Sequence, residues 1–155
     1  MATDAAGDVI ITDDSNDCVR LVAVRTATMY GQRMTVGHIY TIVGGGSGSF
    51  RTGGPASKAS FDILGGVTTD RHGNVVFTDW ASGLVWVLTV RAGTFYGKAM
   101  TVGHVYAVAG GGTALGDGGP AARALLSFPF AVAVSPAGSL LVSDGNNNRL
   151  RAITP

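Results

Sequence analysis

At 155 residues the chain can bury a real core, roughly 70 % of its unfolded surface if it closes into one globule. Eleven Lys and Arg against ten acidic residues leave a formal net charge of +1, so no broad electrostatic field draws it to nucleic acid or inserts it at an anionic membrane. Every acidic residue is Asp, only two residues are Lys, and 24 are Gly, a composition that disfavours long helices and favours turns.

The first segment, MATDAAGDVI, has no basic stretch leading into an apolar run, so no signal peptide is visible. Short β-rich stretches follow one another: Ala2–Asp4, Val9–Thr12, Val19–Val24 and His38–Val43. The sole cysteine, Cys18, excludes an intrachain disulfide. A second set then runs Val67–Thr69, Val75–Thr78, Leu84–Val90 and His104–Ala109, with turns at Asp70–Asn74 and Asp79–Gly83 and a long connection over Arg91–Gly103. Ala121–Leu126 reads as one short helical turn. A third set, Val132–Val134, Leu140–Ser143 and Leu150–Ile153, stops where a fourth strand would start. No apolar run approaches the ~20 residues of a membrane-spanning helix.

These sets are repeats. ATDAAGDVIITDD returns as TTDRHGNVVFTDW and, more loosely, as AVSPAGSLLVSDG. TMYGQRMTVGHIYTIVGGG returns as TFYGKAMTVGHVYAVAGGG. Gly7 and Gly73 are 66 residues apart, as are His38 and His104; Gly73 and Gly138 are 65 apart. Four antiparallel strands followed by a crossing to a similar set is the pattern of a β-propeller blade. The chain therefore reads as all-β and as one propeller segment over residues 1–155. It holds two full four-stranded blades (about 1–66 and 67–130) and a three-stranded partial blade (131–155), an incomplete ring. Closed propellers typically have 4–8 blades. A lone wedge leaves apolar faces and open edges. We expect a homodimer that closes the ring, or a piece of a longer propeller, the latter suggested also by Met1 falling directly on repeat sequence.

The third unit carries a family resemblance. Gly116-Asp117-Gly118-Gly119-Pro120-Ala121, then Leu126, Pro129, Val132-Ala133-Val134, Gly138, Val142, Asp144, Asn147, Arg149 and Arg151 resemble the NHL repeat of bacterial proteins over about forty residues. The other units match in part. Asp13 and Asp79 agree, and so do Gly53-Gly54-Pro55-Ala56, but Cys18 and Leu84 stand where Arg149 stands, and Ser135 replaces the Asp kept at Asp4 and Asp70. The resemblance implies a propeller used for binding, often outside the cytoplasm. It does not name a ligand.

Candidate chemistry is sparse. Asp13, Asp79 and Asp144 recur after the second strand, where a carboxylate closes an Asx-type turn. Asp13-Asp14-Ser15-Asn16-Asp17 lacks the spacing and terminal Glu of a calcium loop. His38 and His104 fall on outer strands of neighbouring blades, which diverge, and His72 stands alone, so no metal site is expected. The runs Gly44–Gly48 and Gly110–Gly112 fail the dinucleotide and Walker patterns and read as flexible blade connections. No cofactor is implied. Repeated Tyr30 and Tyr96, Tyr40 and Tyr106, with Arg33 beside them, form the candidate binding set for a protein or carbohydrate ligand. The reading is a non-enzymatic scaffold. The alternative is a metal-dependent lyase or hydrolase with its site in the central channel, which would need polar residues to converge from Asp4, Asp70 and Ser135.

Overall fold

The computed structural model describes residues 1–47 and 51–155, so Gly48 of the first glycine run lies outside the described residues. The chain is all-β and forms a partial propeller, with its described strands in small antiparallel sheets. The first unit holds β1 (Ala2–Thr3), β2 (Val9–Asp13), β3 (Cys18–Val22), β4 (Ala27–Met29), β5 (Gln32–Met34) and β6 (Ile39–Gly44). Next come β7 (Gly54–Pro55), β8 (Leu64–Thr69), β9 (Val75–Asp79), β10 (Leu84–Leu88), β11 (Gly93–Phe95), β12 (Lys98–Met100) and β13 (His104–Gly110). The last sheet holds β14 (Pro129–Val134), β15 (Leu140–Asp144) and β16 (Arg149–Ile153).

The blades are the sheets β1-β2-β3-β6, β7-β13-β10-β9-β8 and β14-β15-β16. The strand set expected from the repeats is therefore present. Two elements go beyond it. The long connection between third and fourth strands folds into a hairpin of its own, β4-β5 in the first unit and β11-β12 in the second. In addition β7, from the inter-blade linker, adds a fifth segment outside β13, pairing Gly54 with Val105 and Pro55 with His104. The expected helical turn is a single 3-10 turn at Ala121–Arg123, and its repeat partner lies at Ala56–Lys58.

Strand alternation explains the core. Side chains two apart share a face. On the middle blade, Val75, Phe77, Trp86 and Leu88 face the first blade, among Ile10, Val19 and Leu21. Val76, Val85 and Val87 face the third, among Val132, Leu140 and Val142. All five residues of β9 are buried because a blade lies on each side of it. Phe61, from the linker, wedges edge-on against Phe77 and Trp86 at 5.2 and 5.6 Å between ring centroids.

Four glycines of these runs, Gly44, Gly46, Gly110 and Gly112, sit in close backbone contact. Gly44 and Gly110 end the fourth strands at φ of 97° and 92°. A Cβ on Gly44 would meet the Asp17 carbonyl oxygen at 2.5 Å, and one on Gly110 would overlap that of Gly83. Gly46 and Gly112 lie as tightly on the backbone at Lys58 and Arg123. These residues are glycine because two stretches of backbone pack with no room between them.

Candidate functional site

The hairpins β4-β5 and β11-β12 turn on Tyr30-Gly31 and Tyr96-Gly97. Both central residues are left-handed: φ is 51° and 77° in the first, 51° and 72° in the second. This is the conformation of a two-residue type I′ turn, which favours Asn or Asp before Gly. A bulky aromatic at positive φ is uncommon, and here it occurs twice, at equivalent places.

The turn sends each tyrosine back between two blades. The Tyr96 hydroxyl donates to Asp70 Oδ2 at 3.0 Å. Asp70 is itself held in the β8-β9 turn, accepting from the His72 and Asn74 backbone N–H groups at 2.8 and 2.9 Å and from Asn74 Nδ2 at 2.9 Å. Burial, then the Asp70 charge and its hydrogen bond, push the Tyr96 pKa well above the ordinary phenol value. Burial, helped by the charges of Asp4 and Asp8, raises Tyr30 to about 12. Both phenols are neutral near pH 7.

Each tyrosine lines a groove. Tyr30 shares one of about 370 Å³ with Gln32 and Thr41 of the first blade, Ala56 and Ser57 of the linker, and Leu88 of the second blade. Tyr96 shares one of about 440 Å³ with Lys98, Val108, Ala121, Ala122 and Ile153. Several wall residues correspond by repeat register: Gln32 to Lys98, Ile42 to Val108, Ala56 to Ala121, Ser57 to Ala122 and Leu88 to Ile153. The propeller thus repeats one groove at successive blade junctions, each of a size that suits a small ligand (roughly 300–1,000 Å³).

The remaining candidates lie elsewhere. The Tyr40 hydroxyl accepts from the Thr35 backbone N–H at 2.8 Å, and that of Tyr106 accepts from Thr101 at 2.9 Å, bracing the strand that leaves each hairpin. Arg33 is exposed on β5. The three repeated aspartates sit at the far end of the second strand. Asp13 accepts from Asn16 Nδ2 at 2.8 Å and Arg20 Nη1 at 3.2 Å, bonds that hold its carboxyl below the usual range. Asp79 accepts from the Ser82 backbone N–H at 3.2 Å. Asp144, fully buried, accepts from the Ser127 N–H at 2.8 Å, Asn147 Nδ2 and Arg151 Nη1. Asp4 and Ser135 close their own turns, as Asp70 does. His104 Nδ1 lies 2.9 Å from the Gly53 carbonyl, and His72 lies beside Arg71, Arg91 and Phe95. Among the described residues no three His, Cys, Asp or Glu come together as a metal site would require. Tyr30 and Tyr96 stand among the sequence candidates and both line a groove, whereas the linker wall does not stand among them. Its signal was present in the repeated Gly-Pro-Ala at Gly54–Ala56 and Gly119–Ala121.

No family model and no curated protein matches the chain. Solved structures do. An auxiliary nutrient binding protein from Bacteroides ovatus aligns at 20 % identity with a TM-score of 0.67, over 96 % of this chain and 35 % of that one. A Bacteroides thetaiotaomicron protein of unknown function aligns at 17 % and 0.66, over 95 % and 32 %. An auxiliary nutrient binding protein from the same organism aligns at 17 % and 0.57, over 94 % and 36 %. At these identities the likeness shows the fold: the chain is similar to about a third of the length of these bacterial propeller-like proteins.

Proposed function

We propose that the protein is a non-enzymatic binding scaffold of NHL-type blades whose ligand sites are the two grooves lined by Tyr30 and Tyr96. The observation that carries this reading is the recurrence of a tyrosine in a left-handed turn position, lining an equivalent groove at each blade junction. Backbone strain maintained at one place in both repeats points to use. A phenol face beside amide, hydroxyl and ammonium groups suits a saccharide, which stacks an apolar ring face and bonds its hydroxyls outward. The nutrient-binding description of two proteins alike in fold agrees with such a ligand. The NHL assignment is supported in the third blade, where Arg149 and Arg151 both reach Asp117 of the Gly-Asp-Gly-Gly-Pro linker. The exposed end faces suit a ring completed by further blades.

Calorimetric titration with neutral oligosaccharides of glucose, mannose and xylose tests the reading. Two sites per chain are expected for at least one sugar, and Tyr30→Ala or Tyr96→Ala should each remove one. Absence of sugar binding, or binding with stoichiometry indifferent to both substitutions, would overturn it. Binding of peptides in place of sugars would move the ligand class to protein.

A further inference from the structure

We propose that the turn between β8 and β9 carries a binding site for an oxyanion, the carboxylate, sulfate or phosphate group of a small ligand, held by Arg71, His72 and Arg91. The inference does not rest on the saccharide reading above, because this cluster lines a neighbouring cavity and belongs to the second blade alone among the described residues.

Comparison of the repeats isolates it. The turn reads Asp4-Ala5-Ala6-Gly7-Asp8 in the first unit and Asp70-Arg71-His72-Gly73-Asn74 in the second. In the third it reads Ser135-Pro136-Ala137-Gly138-Ser139, without a charge. The structural duty of the last residue is the same in the first two. Asp8 Oδ1 accepts from the Val24 N–H at 2.7 Å, and Asn74 Oδ1 accepts from the Val90 N–H at 3.2 Å. The charges differ. Arg25 has fully buried Asp8 as its counter-charge, at 3.8 Å. Its equivalent, Arg91, has neutral Asn74 in that place, while a guanidinium and an imidazole replace the two alanines. Among the described residues neither Arg71 nor Arg91 ion-pairs with an acid. The acid of this turn, Asp70, is already engaged by the His72 and Asn74 backbone N–H groups, Asn74 Nδ2 and the Tyr96 hydroxyl.

The three basic side chains converge. Arg71 Nε lies 3.3 Å from His72 Nε2, and Arg91 Nη2 lies 3.4 Å from His72 Nδ1 and 3.0 Å from the His72 carbonyl oxygen. Guanidinium nitrogens only donate, whereas a neutral imidazole accepts at one nitrogen and donates at the other. In either tautomer one guanidinium therefore meets an N–H, and beside an imidazolium both do. An oxyanion placed among them accepts from all of these donors and removes the conflict. The ring and one guanidinium are also backed by other groups. Phe95 packs on His72 at 5.1 Å between ring centroids. Gly138 of the third blade lies so near Arg71 that a Cβ there would stand 3.3 Å from its Cζ. These residues and Thr94 line a cavity of about 330 Å³.

Side-chain proton–nitrogen spectra of the three histidines test the site, during titration of the whole chain with sodium glucuronate and with sodium phosphate at constant pH and ionic strength. The His72 ring signals should shift saturably with at least one of the two, while those of His38 and His104 stay in place. A response to phosphate assigns the site to a free anion, and a response to glucuronate alone assigns it to an acidic saccharide. Arg71→Gln and Arg91→Gln should each weaken binding about tenfold, the size of one charge-assisted hydrogen bond. Arg51→Gln removes the same charge beside β7 instead and should leave the affinity unchanged. Asn74→Asp should weaken binding by a factor similar to that of the arginine variants, since it gives Arg91 the counter-charge that Arg25 has; the first unit already carries Asp at both equivalent turn positions. No saturable His72 response, equal weakening by Arg51→Gln, or undiminished binding by Asn74→Asp would each refute the proposal.

Discussion

The Tyr96 hydroxyl and the Asp70 carboxylate meet at 3.0 Å although 26 residues separate them in the chain. The bond ties the β11-β12 hairpin to the β8-β9 turn and fixes the ring that lines the second groove. Tyr96→Phe keeps the ring but loses the bond. Because Asp70 retains its backbone donors, we expect a loss of about 1–2 kcal/mol in urea unfolding.

Alkaline pH should act through the same phenols. A tyrosine whose folded pKa lies above its ordinary value of 10.0 holds its proton more tightly in the folded state. The stability it contributes is fully present below pH 10. It is lost as pH rises through the folded value, about 12 for Tyr30 and higher for Tyr96. Melting temperature should thus be flat with respect to these groups up to about pH 10 and fall beyond it. The double variant Tyr30→Phe, Tyr96→Phe should flatten that fall. A fall of equal steepness would show that other groups cause it.

The burial contrast within the core gives a second pair of variants. Phe77 is fully buried at the junction of the first two blades, and Phe77→Ala should cost about 3–5 kcal/mol. Leu150→Ala, at a position 80 % exposed, should change stability by no more than about 0.5 kcal/mol. Denaturant melts of the two variants check both values.

Close packing can be separated from left-handed backbone at two glycines. A Cβ on Gly112 overlaps the Arg123 carbonyl, whereas one on Gly37, at φ 79°, meets nothing within 4 Å. Gly37→Ala should cost about 1–2 kcal/mol from conformation alone. Gly112→Ala should cost more, because linker and strand must move apart. Equal losses would contradict the crowding account of these runs.

Arg151 joins buried Asp144, Asp117 and two carbonyls, of Leu115 and Leu125. Arg151→Ala leaves Asp144 buried without its counter-charge. A loss of about 3 kcal/mol is expected. Urea melts of the variant and the parent protein check this.

The blades themselves were legible in the sequence, since strand alternation, turn residues and the 66-residue spacing are local features that recur. Repetition also marked Tyr30 and Tyr96, and Asp13, Asp79 and Asp144, as equivalent places. The hairpins were not anticipated: a Tyr-Gly turn lacks the usual Asn-Gly signal, and its three-residue strands are too short to show alternation. Nor was the fifth segment at Gly54–Pro55, whose partner strand begins about fifty residues later. The glycine runs read as flexible by composition, yet Gly44, Gly46, Gly110 and Gly112 make close contacts, a property set by whichever backbone arrives from elsewhere. Local pattern thus specified which elements form. Only the packing of one blade on the next determined where the grooves open and which faces are covered. Those outcomes depend on distant chain segments, which no short window of residues contains.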